Sequence, residues 1–302
     1  MAGDRGPEIA VTLGVFLGFS WLFVGLRIFV RSFITKSWKL DDSLLVVSLA
    51  LYTSYVAVIL WSVSYGDGKH FDQVPLENLP KIARAWWFGE ILYALAALFT
   101  RLSISVLLLT LSSRPLHKHI IYATEFSVTL FTIAFILLVI FQCSPVYYFW
   151  EQYEGASRAT GSCIGSTIIL EASVGYSAVG FTVDWILGLL PFWLLWNVKM
   201  STRVKFSVAG VLSLGLLAGI ATLIRIPFIR KLETSPDFLY ATPDIAIWSA
   251  IEPGLGIIAF SGATLRPLLR YFFPHGFSTL PPDDSAGHRI EQINTNKQNQ
   301  FP

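Results

Sequence analysis

The residues of this sequence that could carry out chemistry are ionisable side chains set within long apolar runs. These residues are Glu90, Arg101, Glu171, Asp184, Arg225 and Glu252. An ionisable side chain inside a bilayer costs at least about 2.5 kcal/mol on insertion scales, so each one needs a partner, a water-filled cavity or a position near the interface. Carboxylates in an apolar setting suit general acid–base chemistry, which makes Glu90, Glu252 and Asp184 candidate catalytic residues.

Helical spacing divides these six residues into two groups. Counted at a rise of about 1.5 Å per residue, the four that lie one to two turns inside the predicted outer helix ends are Glu90, Glu171, Arg225 and Glu252. We predict that they form an outer cluster that binds a ligand. Arg101 and Asp184 lie near the midplane and have opposite charges, which predicts an inner ion pair. Close helix packing, with charges paired for insertion and rigidity, explains the pattern equally well and stays open.

A Gly-rich loop from Tyr65 to Asp72 is predicted to sit over this outer cluster. It carries His70 between Asp67 and Asp72, which makes His70 a further candidate for ligand binding. Three such side chains could hold a metal ion. Their spacing matches no metal-binding signature, however, and we expect no metal.

The elements that must position these residues are membrane-spanning helices. Hydrophobic residues make up 54% of the sequence and charged residues only 14%, whereas about a quarter of the residues in a soluble domain are charged. A span needs about 20 apolar residues. Seven such runs lie near residues 9–30, 43–64, 85–111, 120–142, 168–196, 204–229 and 244–270. We therefore predict an all-α membrane protein, a bundle of seven transmembrane helices over residues 9–270.

The distribution of charge predicts the direction of this bundle. Lys and Arg are more frequent in the loops after the odd-numbered runs, so the positive-inside rule places residues 1–8 outside or in a lumen and the C-terminus in the cytoplasm. Cys143 and Cys163 then lie on the oxidising side, where we predict a stabilising disulfide. Residues 271–302 are polar and without periodicity, which predicts a disordered cytoplasmic tail.

Several short motifs give the sequence a family resemblance. They are Leu40-Asp41-Asp42, Tyr65-Gly66, Arg101-Leu102-Ser103-Ile104, Phe141-Gln142-Cys143-Ser144-Pro145-Val146 and Leu265-Arg266-Pro267-Leu268. Because of the order and spacing of these motifs, the membrane region resembles the fungal rhodopsin-like integral membrane family. Some members of that family are receptor-like. Others resemble the membrane protein of the satratoxin cluster and accompany secondary-metabolite genes, and this sequence looks like that second, shorter type.

The rhodopsin name does not imply a pigment here. Retinal chemistry needs a lysine in the last span, and residues 244–270 contain none, so we expect no cofactor. The sequence also lacks an Asp-Arg-Tyr motif at the inner end of the third run and an Asn-Pro-x-x-Tyr motif in the seventh. A G protein is therefore a partner that nothing in the sequence supports.

Three functions are compatible with these features. The first is a receptor-like or pathway-accessory protein of the plasma membrane or an internal membrane, which binds a small amphiphilic molecule in an outward-facing polar cavity. The second is a membrane-embedded isomerase or cyclase that uses one of the carboxylates. A metabolite transporter ranks last, because paired repeats and interrupted half-helices are not evident. The small net charge of +2 argues against a nucleic-acid partner, and the expected partner is the lipid bilayer.

Overall fold

Long helices form almost all of the structure. The computed structural model describes residues 3–112, 114–153, 160–195, 216–231 and 237–265. The helices within these residues are α1 (Gly6–Phe29, continued by a π-helical turn at Val30–Ile34), α2 (Leu40–Ser64), α3 (Leu79–Leu111), α4 (Pro115–Ile140), the short α5 (Tyr148–Glu151), α6 (Ser166–Leu195), α7 (216–231) and α8 (Phe238–Thr264). The short strands β1 (Cys143–Ser144) and β2 (Ser162–Cys163) pair antiparallel between α4 and α6.

The membrane assignment is confirmed. Six of the described helices, α1, α2, α3, α4, α6 and α8, are long and apolar enough to cross a bilayer. The predicted sixth run is described only over 216–231, where it is helical. The remainder of that run, the end of the seventh run and the predicted tail at 271–302 lie outside the described residues.

Two helices begin earlier than hydropathy predicts. The sequence predicts starts near 85 and 244, whereas α3 begins at Leu79 and α8 at Phe238. The first turns of α3 carry Lys81 and Arg84. A polar helical turn at the interface keeps its backbone hydrogen bonds without adding to an apolar run, so hydropathy places the helix end too late.

The predicted disulfide is confirmed. Cys143 and Cys163 are bonded across the β1–β2 ladder, in which they lie directly opposite each other. This end of the bundle, which also holds the start of α3 and the start of α6, is called the disulfide end below.

A buried charge cluster joins three helices at the opposite end. Arg27 in α1 is 1% exposed and bonds Asp41 (2.5 Å) and Asp42 (2.8 Å) at the start of α2. Its Nη1 donates to the backbone carbonyl of Phe260 in α8 at 3.1 Å. Asp42 also accepts the backbone N–H of Lys39 at 3.1 Å, which caps α2. These contacts hold α1, α2 and α8 together where the chain turns from α1 into α2.

Candidate functional site

A cavity of about 420 Å³ lies beneath the disulfide. Its walls come from α2, α3, α6, α7 and α8, with one residue each from α4 and α5, and residues next to the Cys143–Cys163 bridge complete the lining. Most of the lining is apolar or aromatic, and Trp86, Trp87 and Phe135 are among its side chains. Glu90 and Arg225 are the ionisable groups of opposite charge on this lining. A cavity of this size, mainly apolar with a few polar groups, is typical of small-molecule sites.

Arg225 is the buried cation of the cavity. It is 4% exposed, and its guanidinium carbon lies 4.4 Å from the ring centre of Tyr93. Nη1 donates to Ser249 at 3.0 Å and Nη2 donates to Ser177 at 2.7 Å. Nε has no hydrogen-bond partner among the described residues, and within them Arg225 forms no salt bridge. Two neutral hydroxyls and a ring therefore hold the guanidinium in place, and some of its N–H donors are not used in hydrogen bonds to the described residues.

Glu90 is the anion of the cavity. It lies three residues before Tyr93 on α3, hence on the same face of the helix. Within the described part of the chain it makes no hydrogen bond or salt bridge, and it shares the cavity lining with Arg225. The cavity thus contains two opposite charges that are not joined to each other.

A second ionic network lies deeper in the bundle, centred on Arg101. Nε and Nη2 of Arg101 bond the two oxygens of Asp184 at 2.8 and 3.0 Å, and Nη2 also bonds Glu252 at 2.7 Å. The other oxygen of Glu252 accepts the Tyr93 hydroxyl at 2.6 Å. A Cβ at Gly180, one turn before Asp184, would lie 3.1 Å from Nη2 of Arg101, so a larger residue there would press on the guanidinium.

Tyr93 links this network to the cavity. One face of its ring lies against Arg225, and its hydroxyl bonds Glu252. Arg225, Tyr93, Glu252, Arg101 and Asp184 therefore form a continuous chain of contacts from the cavity to the inner ion pair.

The structure regroups the residues proposed as an outer cluster. Arg225 and Glu90 share the cavity, whereas Glu252 bonds Arg101 and does not line the cavity. Glu252 lies about four turns into α8, deeper than a helix start at 244 implies. Glu171 is exposed on α6 and lies away from the cavity lining.

His70 also lies outside the cavity lining. Its Nδ1 is 2.7 Å from an oxygen of Asp237, and its ring stacks on Tyr240 at 4.1 Å. Arg5 bonds Asp244 at 2.6 Å beside it. His70 thus packs the first loop against the start of α8.

Asp67, in the same loop, is buried and forms hydrogen bonds to residues of α2, α3 and α8. Its Oδ2 accepts the Ser62 hydroxyl at 2.7 Å and the Trp86 indole N–H at 3.2 Å. Its Oδ1 lies 3.1 Å from the Thr242 hydroxyl, which is also 2.9 Å from the carbonyl oxygen of Leu239. Burial raises the pKa of Asp67 by more than these hydrogen bonds lower it.

No metal centre is evident in the ranges that the structure describes. They contain no group of three or more His, Cys, Asp or Glu side chains arranged to hold an ion.

Two ionisable residues with contacts inside the bundle, one half-buried and one buried, are not among the candidates that the sequence indicates. Glu125 in α4 accepts the Ser105 hydroxyl at 2.6 Å, and its other oxygen has no hydrogen-bond partner among the described residues. It is a charge within the apolar run 120–142, so the rule that singles out Glu90 also finds it. Arg27 lies at the end of its run, where the sequence indicates a solvated interfacial charge.

The sequence profile described as "Fungal rhodopsin domain" matches residues 26–271. The chain is 26% identical to the SAT4 family membrane protein of Emericella nidulans, over 78% of this chain and 58% of that protein. It is 23% identical to Satratoxin biosynthesis SC1 cluster protein 4 of Stachybotrys chartarum, over 49% of this chain and 50% of that protein. It is 24% identical to Wortmanamides biosynthesis cluster protein C of Talaromyces wortmannii, over 87% of this chain and 70% of that protein.

The chain spans about half the length of the first two of these relatives. No solved structure matches it significantly. The family profile covers most of the chain, and the helices that it covers are those that build the cavity and the ionic network. The family resemblance seen in the motifs is thereby confirmed, and this multi-pass membrane protein belongs to the fungal rhodopsin domain family.

Proposed function

We propose that this membrane protein binds a small amphiphilic molecule in the cavity beneath the disulfide, and that it acts as a receptor-like or accessory component of a secondary-metabolite pathway. The observation that carries the proposal is the cavity itself. An apolar and aromatic wall suits the body of an amphiphile, and Arg225 and Glu90 offer a polar head both a donor and an acceptor.

The proposal includes a direction for the bundle. In the proposed bundle of seven spans, with α7 as part of the sixth, the N-terminus and the disulfide lie on the outer or lumenal side. The excess of Lys and Arg in the opposite loops supports this direction. A disulfide persists in an oxidising compartment, which supports the same direction independently. The cavity would then open toward the outside or the lumen.

The pathway role is proposed from the relatives. Two of them carry the names of the satratoxin and wortmanamides biosynthesis clusters. A protein that binds an amphiphilic intermediate or product within the membrane would suit such a cluster, because those molecules partition between the bilayer and water.

Blocking the cavity tests the proposal. Ser173 lines the cavity on α6, and Ser54 is exposed on α2. The protein in phosphatidylcholine nanodiscs is titrated with dansyl-labelled undecanoic acid, and energy transfer from tryptophan is followed. We expect saturable binding that Ser173→Phe weakens by about tenfold or more, equal to about 1.4 kcal/mol. The matched control Ser54→Phe should bind as the wild type does. Transfer that never saturates, or that is equal in all three proteins, would refute the proposal.

A second candidate function is catalysis at the same cavity, and the position of Glu90 favours it. Of the three candidate catalytic carboxylates, Glu90 alone lines the cavity, while Asp184 and Glu252 are bonded to Arg101. A carboxylate without a salt-bridge partner in the described structure could transfer a proton to or from a bound substrate.

Glu90→Gln separates the two functions. It keeps the size of the side chain and removes the transferable proton, and Glu171→Gln on the exposed face of α6 is the matched control. If the protein is an enzyme, the producing strain that carries Glu90→Gln accumulates a precursor even though the purified variant still binds the probe. An unchanged metabolite profile would exclude catalysis by Glu90.

A further inference from the structure

We infer that the cavity selects amphiphiles with a single carboxylate, that Arg225 binds this group, and that Glu90 excludes a head with a second negative charge. The inference rests on the proposed function and names the chemical class of its ligand.

The first step is the supply of hydrogen-bond donors on Arg225. A guanidinium has five N–H donors, and the two bonds to Ser249 and Ser177 use one donor on each terminal nitrogen. The N–H of Nε has no partner among the described residues. Donors thus remain on adjacent nitrogens of a planar fork, which is the geometry that binds both oxygens of a carboxylate.

The second step is charge. Asp184 and Glu252, two carboxylates of the neighbouring helices, are already bonded to Arg101, and Tyr93 holds the second oxygen of Glu252. Arg225 is therefore buried against the hydroxyls of Ser249 and Ser177 and the ring of Tyr93, and it forms no salt bridge in the described structure. A buried cation in this state gains from an anionic ligand, because the ligand supplies an opposite charge and hydrogen-bond acceptors in place of the water that burial removes.

The third step is the limit that Glu90 sets. It lines the same cavity and carries the opposite charge to Arg225. One negative charge on the ligand balances Arg225, whereas a second one beside it would face Glu90 in a space of about 420 Å³ whose described lining offers no other basic side chain. Like charges in an apolar setting repel strongly. The pair of residues therefore favours a monoanion over both a neutral head and a dianion.

A matched ligand series tests the inference on the whole protein in phosphatidylcholine nanodiscs. Dodecanoic acid, methyl dodecanoate, dodecylamine and dodecylsuccinic acid each compete with the dansyl probe. We expect dodecanoic acid to bind at least tenfold more tightly than each of the other three. Arg225→Met should remove the preference for the acid over the ester, and Arg225→Lys should keep part of it. Arg230→Met, at the exposed end of α7, should leave it unchanged.

Glu90→Gln keeps the inference testable even if Arg225→Met does not fold. This variant should bind dodecylsuccinic acid about tenfold more tightly than the wild type does, and its gain in affinity for dodecanoic acid should be clearly smaller; an equal gain for both acids, or none for dodecylsuccinic acid, would overturn the role of Glu90. Phosphatidylglycerol added to the nanodiscs distinguishes a free carboxylic acid from an anionic lipid head as the occupant. If the lipid displaces dodecanoic acid stoichiometrically, the inference is overturned.

The remaining outcomes separate the inference from the proposed function. An ester that binds as tightly as the acid, or a preference that survives in Arg225→Met, overturns the inference and leaves the cavity a binding site. If no compound competes and Ser173→Phe changes nothing, the proposed function fails as well.

Discussion

The ionic network around Arg101 is where we expect one substitution to cost the protein most stability. Arg101→Met removes the cation from two carboxylates at once, while the methionine fills most of the space. Breaking a buried ion pair by removing one partner costs about 3–5 kcal/mol, because an uncompensated charge stays buried. We expect a value in this range rather than twice it. One of the two carboxylates, Glu252, keeps its bond from Tyr93 and so does not lose all of its partners.

Two further variants show whether the loss of stability in Arg101→Met comes from buried carboxylates that have lost their cation. In the triple variant Arg101→Met/Asp184→Asn/Glu252→Gln the two carboxylates become neutral amides of the same shape, so we expect it to regain at least half of the stability lost by Arg101→Met. Arg101→Lys should lose about 1.5–3 kcal/mol, the value of a hydrogen bond to a charged group, because one ammonium cannot bridge both carboxylates with the geometry of a guanidinium.

The measurement is the free energy of unfolding in mixed micelles titrated with sodium dodecyl sulfate. Arg230→Met at the exposed end of α7 is the control for the loss of an arginine, and we expect it to fall within about 0.5 kcal/mol of the wild type. A loss below about 1 kcal/mol for Arg101→Met, or a triple variant no more stable than the single one, would refute the reasoning.

Three further predictions concern the links around this network and the disulfide end. Tyr93→Phe should cost about 1–3 kcal/mol in the same titration, because one oxygen of Glu252 loses its donor at 2.6 Å while the ring over Arg225 stays; an unchanged free energy would contradict this role of the hydroxyl. Cys143→Ser/Cys163→Ser should cost about 3 kcal/mol, since the bridge closes a loop with a sequence separation of 20, and added reductant should lower the stability of the wild type but not of the variant. Because burial raises the pKa of Asp67 above its ordinary value of 3.8, the folded state holds its proton more tightly than the unfolded state does, and stability should fall as pH rises from 3.8 through the raised value. Asp67→Asn should flatten that part of the pH profile, and a profile identical to that of the wild type would show that Asp67 does not cause it.

The candidate site shows how far spacing along single helices can reach. Similar depth and opposite charge predict that Arg101 and Asp184 are partners, and in the structure they are bonded through both oxygens of the carboxylate. Depth alone also placed Glu252 and Glu171 beside Arg225. The structure separates them, because the real start of α8 puts Glu252 deeper and the rotation of α6 turns Glu171 away from the cavity.

Composition and hydropathy determined the class of the protein. Apolar runs long enough to span a bilayer, in a chain with few charges, indicate that lipid surrounds most of the chain. Because no water is present there to bond the backbone, each run must satisfy its own backbone hydrogen bonds and therefore forms a helix. The two cysteines and the order of the motifs likewise indicated the bridge and the family without coordinates. The membrane class, the disulfide and the family can each be predicted from composition or from short motifs, without knowing how the helices pack.

Tertiary structure alone decided which arginine stays without a carboxylate partner among the described residues. Arg225 and Arg101 are both single arginines within apolar runs, and nothing in the neighbouring sequence distinguishes them. One meets two carboxylates, whereas the other meets two serines, a tyrosine ring and an open cavity. The difference arises from the depth and rotation of four helices relative to one another. Packing across the whole bundle sets these depths and rotations. A shift of one residue turns a side chain by about 100° around its helix, so a small change in packing changes which side chains meet.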